Sequence, residues 1–201
     1  EFEKLAEANF FEVPDVKKAL QTLACWYRQQ LDADIVGVAG SNGKTIVKEW
    51  IYQMLSEEPD IYRSPRSYNS QIGVPLSLLG IPKTTRLAVI EAGISQPGEM
   101  VKLQQMIQPR VGIFTHLGDA HGENFKSREA KLEEKARLFA DCEVVIGQTG
   151  ASLDYIMSVA GFAAKRIAWG ETEDVEVRIC ENVPDACGRR VTLKWKEDYC
   201  T

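Results

Sequence analysis

The sequence predicts an α/β protein: a P-loop-type, doubly wound, mainly parallel sheet with flanking helices and a terminal antiparallel hairpin. Three observations carry that expectation. Short aliphatic, β-branched runs alternate with segments of helical period from residue 16 to residue 169. One strand-to-helix junction, IVGVAGSNGKTIVKEW at 35–50, has the layout of a nucleotide-phosphate cradle. Beyond residue 170 the helical period stops and two alternating segments flank a turn.

Taken in order, Asp15 follows Pro14 as a helix N-cap, and Val16, Ala19, Leu20, Leu23 and Tyr27 recur at helical spacing. Ile35, Val36 and Val38 make the next strand. The helix after it presents Ile46, Val47, Trp50, Ile51, Met54 and Leu55 as its apolar face. A short strand at 61–64 and the polar turn SPRSYNSQ lead to a short helix opened by Pro75 and running through Leu78 and Leu79. Residues 86–92 form a buried-type strand, 93–97 a turn, and 97–107 a helix with Met100, Leu103, Met106 and Ile107 on one face. A strand at 111–116 precedes a polar loop, and Ser127 caps a helix running to about Ala140. Strands at 143–147 and 166–169 enclose a helix near 151–160. Residues 175–179 and 190–195 form the hairpin, around a turn containing Pro184 and Gly188.

A chain of 201 residues suits one such domain with a sizeable core. Residues 1–33 form a lead-in segment and helix, and 34–201 the nucleotide-binding domain. The net charge of −5, with no basic run, argues against a nucleic-acid-binding surface. No apolar stretch reaches the ~20 residues that span a bilayer, so no membrane insertion is expected. The cysteines at 25, 142, 180, 187 and 200 are odd in number and scattered, which favours reduced thiols in a cytoplasmic protein over disulfides or a zinc site. The chain opens without an initiator methionine and stops just after a strand, as expected of a piece of a longer protein.

The glycine turn carries the first chemical expectation. Gly40 and Gly43 lack a Cβ, so the backbone around Ser41 and Asn42 can turn tightly and approach a ligand. The amides opening the next helix are left for an anion. Lys44 can set a charge on the β/γ-phosphates and the Thr45 hydroxyl can ligate Mg²⁺. The spacing is irregular: Val38 stands where the usual first glycine would be, and Gly37 one residue earlier. Glu91, closing the strand LAVIE, would place a carboxylate at the same sheet edge, where Mg²⁺ favours one or two acids with phosphate oxygens. Of the two histidines, His121 lies in a polar loop at that edge and is the better ligand or proton carrier, while His116 suits a hydrogen-bonded strand end. Lys135 falls in SREAKLEEKARLF, whose charge pairs at helical spacing describe a solvated face, and nothing in that pattern separates it from Lys131.

The stretches VGVAGSNGKTIVKEW, YNSQIGVPLSLL, AVIEAGISQPGEM and AHGENFKSREAKLEEKARLF resemble, in order, the motifs of the Mur ligase family, over about residues 13–170. The displaced glycine is the form found there. The resemblance is strongest to the member that adds D-alanyl-D-alanine to a UDP-muramoyl tripeptide (UDP-MurNAc-tripeptide). It implies the central ATPase domain of an ATP-dependent amide ligase, with a UDP-sugar domain and a closing C-terminal domain outside these residues. The implied cofactors are ATP and two Mg²⁺ ions. By motif position, Lys44 takes the phosphate-loop lysine's role and Thr45 that of the magnesium hydroxyl. Glu91 matches the metal acid, and His121 the histidine of the second metal. Lys135 matches the lysine that many members carbamylate, and Asn69 an asparagine near the nucleotide. The implied reaction makes an acyl phosphate, which an amine then displaces.

The departures are Ser70-Gln71 for an Asn-Asn pair, Ser95-Gln96 for Asn-His, Ile46 for a threonine and Gly122 for a leucine. Such variants resemble the ligase form fused to an alanine racemase. These residues alone are expected to bind Mg·ATP weakly and not to ligate. Two further readings are a folylpolyglutamate synthase-like ligase and a non-catalytic P-loop nucleotide-binding module.

Overall fold

In the computed structural model, residues 11–58, 60–118, 124–160, 164–186 and 188–200 are described. Helix α1 (Val16–Arg28) starts at Asp15, whose side chain accepts a hydrogen bond from the Lys18 amide. There follow β1 (Asp34–Ala39), α2 (Lys44–Met54), β2 (Ile61–Arg63), α3 (Gly73–Leu79), β3 (Leu87–Glu91), α4 (Glu99–Ile107) and β4 (Val111–Phe114). Next come α5 (Arg128–Ala136), tightening into a 3₁₀ turn at Arg137–Phe139, then β5 (Val144–Gln148), α6 (Ala151–Ala160) and β6 (Lys165–Gly170). Strands β7 (Val177–Asp185), β8 (Gly188–Trp195) and β9 (Asp198–Cys200) end the chain. Among the described residues no helix is long and apolar enough to cross a membrane, and Cys25, Cys142, Cys180 and Cys200 are free thiols.

The sheet order is β2-β3-β1-β4-β5-β6-β7-β8-β9, parallel from β2 through β7 and antiparallel thereafter. The chain leaves β1 through α2 towards one edge and leaves β4 through α5 towards the other. Such a reversal opens a crevice at the carboxyl ends of the two strands. Every residue singled out in the glycine turn lies there.

The main core lies on one face of the sheet. Ile35, Ala39, Ile90, Phe114, Val145 and Ala168 pack there with Ala24, Leu78, Leu103, Leu138 and Leu153 from the helices. Arg28 fastens α1 to the end of α4, its Nε donating to the Ile107 carbonyl at 3.1 Å. Gly112 is demanded by packing, because a Cβ there would lie 2.2 Å from the Phe139 ring. Gly112→Ala should therefore lower the stability by about 2 kcal/mol or more, read as a fall in the urea midpoint at constant m-value.

Two expectations need correction. The apolar face assigned to α2 is rotated: Val47 and Ile51 pack on Val36, Val38 and Val89, but Ile46, Trp50 and Met54 are exposed. The inward row instead contains Lys48, which is wholly buried. A count of apolar residues at helical spacing did not register that an i,i+4 row of three was facing out. The hairpin is also longer than expected. Its strands pair down to Asp185 and Gly188, with Pro184 opposite Arg189 inside the ladder and not in the turn. Proline is tolerated because β7 pairs with β6 only at Val177 and Arg178, so no second strand calls for the amide hydrogen that Pro184 lacks.

Candidate functional site

Beyond Ala39 the backbone turns at Gly40, whose φ of +148° and contact with Thr115 leave no room for a side chain; a Cβ would lie 2.0 Å from Thr115 Oγ1. Gly43, at φ +82°, is the left-handed N-cap of α2. The first intrahelical bond is donated by Val47 to the Gly43 carbonyl at 2.9 Å, so the amides of Lys44, Thr45 and Ile46 have no partner of that kind. The loop is braced from β4. The Ser41 amide donates to the His116 carbonyl at 2.6 Å, Ser41 Oγ to the Gly118 carbonyl at 3.0 Å, and Thr115 Oγ1 to the Asn42 carbonyl at 2.6 Å. Gly37, the displaced glycine, lies inside β1 and serves packing: a Cβ there would come within 2.9 Å of Pro109. Gly40→Ala should abolish nucleotide binding while Gly37→Ala mainly lowers stability, a contrast that calorimetric titration beside thermal melting would read.

Three lysines converge on the loop. Lys44 Nζ donates to the carbonyls of Gly40 (3.0 Å) and Ser41 (3.2 Å). Lys135 Nζ, from α5, donates to the same Gly40 carbonyl at 3.1 Å, and Lys131 Nζ to that of Gly118 at 2.5 Å. The solvated-face reading of α5 is thus overturned on this side: Lys131, Glu134 and Lys135 are buried. Helix α5 lies against the phosphate loop, a tertiary relation its charge pattern cannot reveal. Burial, then the neighbouring charges of Lys44 and Lys131, push the Lys135 ammonium down to about 7. Lys44 is also lowered, by burial, with Glu91 partly restoring it.

The Lys135 shift fixes a pH dependence. Between about pH 7 and the ordinary lysine value of 10.5 the unfolded chain holds a proton at this site that the folded chain has released. Stability therefore rises with pH across that window, by at most about 1.4 kcal/mol per pH unit. Below it the full penalty of the buried charge persists. Denaturation of Lys135→Met at several pH values should show a shallower rise than the unaltered protein; equal slopes would contradict the assignment.

The carboxylate of Glu91 is fully buried at the end of β3. Its Oε2 accepts from Thr45 Oγ1 at 3.1 Å and from Asn69 Nδ2 at 3.3 Å. Two neighbouring ligands on an octahedral Mg²⁺, with bonds of about 2.0–2.1 Å, stand about 2.9 Å apart. The Thr45–Glu91 pair therefore fits one edge of a magnesium shell. Among the described residues no three His, Cys, Asp or Glu side chains converge. Asn69 is locked by the Gly93 amide, which donates to its carbonyl at 2.8 Å. His121 lies outside the described residues. His116 contributes its carbonyl to Ser41 and lines a cleft of about 540 Å³ with Leu117, Arg128, Gln148 and Tyr155.

The sequence reading missed Lys48, Thr115 and Lys131. For Lys48 a signal existed: it lies one helical turn beyond Lys44, on the face that must look at the sheet.

A strand, a glycine turn and a helix at the switch point of a parallel sheet define the P-loop class of α/β folds. Residues 38–176 match the model of the Mur ligase middle domain, and the chain belongs to the Mur ligase family. The UDP-N-acetylmuramoyl-tripeptide--D-alanyl-D-alanine ligase of Bacillus subtilis (strain 168) is 36% identical over 126 residues, covering 63% of this chain and 28% of that protein. The MurF ligase of Thermotoga maritima in complex with ADP superposes with a TM-score of 0.83 at 24% identity, covering 94% of this chain and 44% of that one. Mycobacterium tuberculosis folylpolyglutamate synthase complexed with ADP is more distant, with a TM-score of 0.64 at 13% identity over 95% of this chain and 53% of that one. The chain thus spans under a third of the curated relative's length and under half of the MurF structure's.

Proposed function

We propose that this chain is the ATP-binding central domain of a cytoplasmic ligase of peptidoglycan precursor synthesis that joins D-alanyl-D-alanine to UDP-MurNAc-tripeptide. The observation that carries the chemistry is the Thr45–Glu91 contact beside the glycine turn, which supports a metal edge next to a phosphate cradle. The match to the named ligases supports the choice of substrates. Residues 34–201 form the ATPase domain, 1–33 lead into it, and the UDP-sugar and C-terminal domains are supplied by other parts of the protein. The fused alanine racemase rests on the motif variants alone.

In this reading the amides of Lys44, Thr45 and Ile46 receive the phosphates of ATP, and Lys44 exchanges its loop carbonyls for β/γ-oxygens. Thr45 and Glu91 hold one Mg²⁺, and His121 with Lys135 serves a second. Magnesium supplies charge neutralisation at the phosphates. The tripeptide carboxylate attacks the γ-phosphorus, ADP leaves, and the amine of D-alanyl-D-alanine attacks the acyl carbon as phosphate departs and the nitrogen loses its proton. Positioning and charge carry such a transfer.

Lys135 has a second role in this proposal. With its amine neutral from about pH 7 upward, the nitrogen can attack the carbon of CO₂ and lose a proton, forming a carbamate. One cation of the lysine cluster becomes an anion, suited to hold metal. A ¹³C carbamate signal should grow with pH through 7 in ¹³C-bicarbonate, survive Lys131→Ala and vanish in Lys135→Ala. A signal retained in Lys135→Ala would contradict the assignment.

Phosphate release by the intact protein tests the function. It should require UDP-MurNAc-tripeptide and D-alanyl-D-alanine together. Release driven by a folate and glutamate would favour the folylpolyglutamate synthase-like reading, and nucleotide binding without substrate-dependent release would favour the non-catalytic module. Residues 1–201 alone should bind Mg·ATP weakly and form no amide.

A further inference from the structure

The group that organises the acid of the site is a lysine with no role in the scheme above. Lys48 is wholly buried on the inward face of α2, one turn after Lys44. Its ammonium stands 3.0 Å from Glu91 Oε1, a pair with no solvent exposure on either side chain. It donates to the Ser64 carbonyl at 2.8 Å and also to the Arg66 carbonyl. A fourth neighbour, Glu49 Oε1, lies 3.2 Å away, and the Glu49 carboxylate is itself held by Arg63 at 2.7 Å.

A fully buried lysine is costly unless paired and hydrogen-bonded, and here both conditions are met by parts of the site. The Ser64–Arg66 turn, with Arg66 at φ +47°, leads directly into the segment bearing Ser67 and Asn69. Ser67 Oγ lies 3.2 Å from Thr45 Oγ1, and Asn69 reaches Glu91 Oε2. One ammonium thus fixes the β3 acid, the turn after β2 and the helix of the phosphate loop relative to one another.

The two oxygens of Glu91 are treated differently. Oε2 faces Thr45 and the loop. Oε1 is buried and accepts no hydrogen bond, but it lies against the ammonium, where a divalent cation would be repelled. We propose that Lys48 is a positioning residue that occupies Glu91 Oε1 and so restricts this carboxylate to one metal bond, through Oε2, making the site selective for Mg²⁺ over Ca²⁺. The chemistry follows from coordination habits: Mg²⁺ takes six ligands in a near-ideal octahedron, whereas Ca²⁺ takes up to eight and accepts a carboxylate through both oxygens. An acid with one oxygen blocked serves the first ion and handicaps the second. The inference rests on the metal role of Glu91 proposed above.

The test is the ratio of Mg²⁺ to Ca²⁺ affinities in metal-dependent ATP binding to the intact protein, for the unaltered protein and Lys48→Met. The ratio should move towards Ca²⁺ by at least about tenfold. A merely structural lysine would weaken both ions together, and an unchanged ratio would overturn the proposal. Should Lys48→Met fail to fold, a crystal of the unaltered protein with Mn²⁺ and a non-hydrolysable ATP analogue decides. Manganese bonded to Oε2 alone, with Lys48 still on Oε1, supports the inference. Manganese on Oε1 or on both oxygens overturns it but leaves the metal role standing. No metal on Glu91 removes both.

Discussion

Lys44→Ala should cut ATP turnover by the intact protein about 10²- to 10³-fold, the usual cost of removing one preorganised charge or donor from a phosphoryl-transfer site. The ammonium is half-sheltered between the Gly40 and Ser41 carbonyls, at 3.0 and 3.2 Å. It therefore starts close to where a phosphate would lie and needs little reorganisation. Lys131 and Lys135 approach from α5, Lys131 donating to the Gly118 carbonyl and Lys135 sharing the Gly40 carbonyl with Lys44, so neither stands at the N-terminus of α2 to replace it. The effect should fall on nucleotide affinity and turnover together. Because Lys44 is not paired with a buried acid, the melting temperature should hardly move. Steady-state phosphate release beside a thermal melt measures both; full turnover in the variant would remove Lys44 from the mechanism.

Glu91 should behave differently, because its loss damages stability and metal binding at once. Glu91→Ala strands the Lys48 ammonium in the core, and breaking a buried ion pair from one side costs about 3–5 kcal/mol, a large share of a typical 5–15 kcal/mol stability. Adding Lys48→Met should restore part of that loss, since removing both partners is milder than removing one. Urea denaturation of the two single variants and the double one measures the coupling. Glu91→Gln separates the second role. It keeps the shape and the bond from Thr45 but drops the charge, so it should raise the Mg²⁺ requirement for ATP binding about tenfold or more. A variant that folds and keeps its Mg²⁺ requirement would take Glu91 out of the metal site.

Much of this was legible because it is local. The parallel strands and the glycine turn are written in apolar runs and in residues that lack a Cβ. The position of Glu91 followed from a strand's last residue meeting the sheet edge where β1 also ends. What was not legible depends on which side an element turns to its neighbours. Helix α2 carries two rows of apolar residues, and only packing against Val36, Val38 and Val89 decides that Val47 and Ile51 go inward while Trp50 goes out. That choice also buries Lys48. In α5, i,i+4 charges read as solvated, yet Lys131 and Lys135 reach back to Gly118 and Gly40 across a fold-level contact. Family resemblance singled out Lys135, and in the structure that lysine is buried beside two other cations.

The central claim, that the turn from Gly40 to Thr45 holds the phosphates of a magnesium nucleotide with help from Glu91, is tested most directly by calorimetric titration of the intact protein with ATP. Saturable one-to-one binding should appear, strengthen with Mg²⁺, weaken sharply in Lys44→Ala, and need about tenfold more Mg²⁺ or beyond in Glu91→Gln. Binding that is absent from the unaltered protein, or that persists unchanged in Lys44→Ala, would contradict the account.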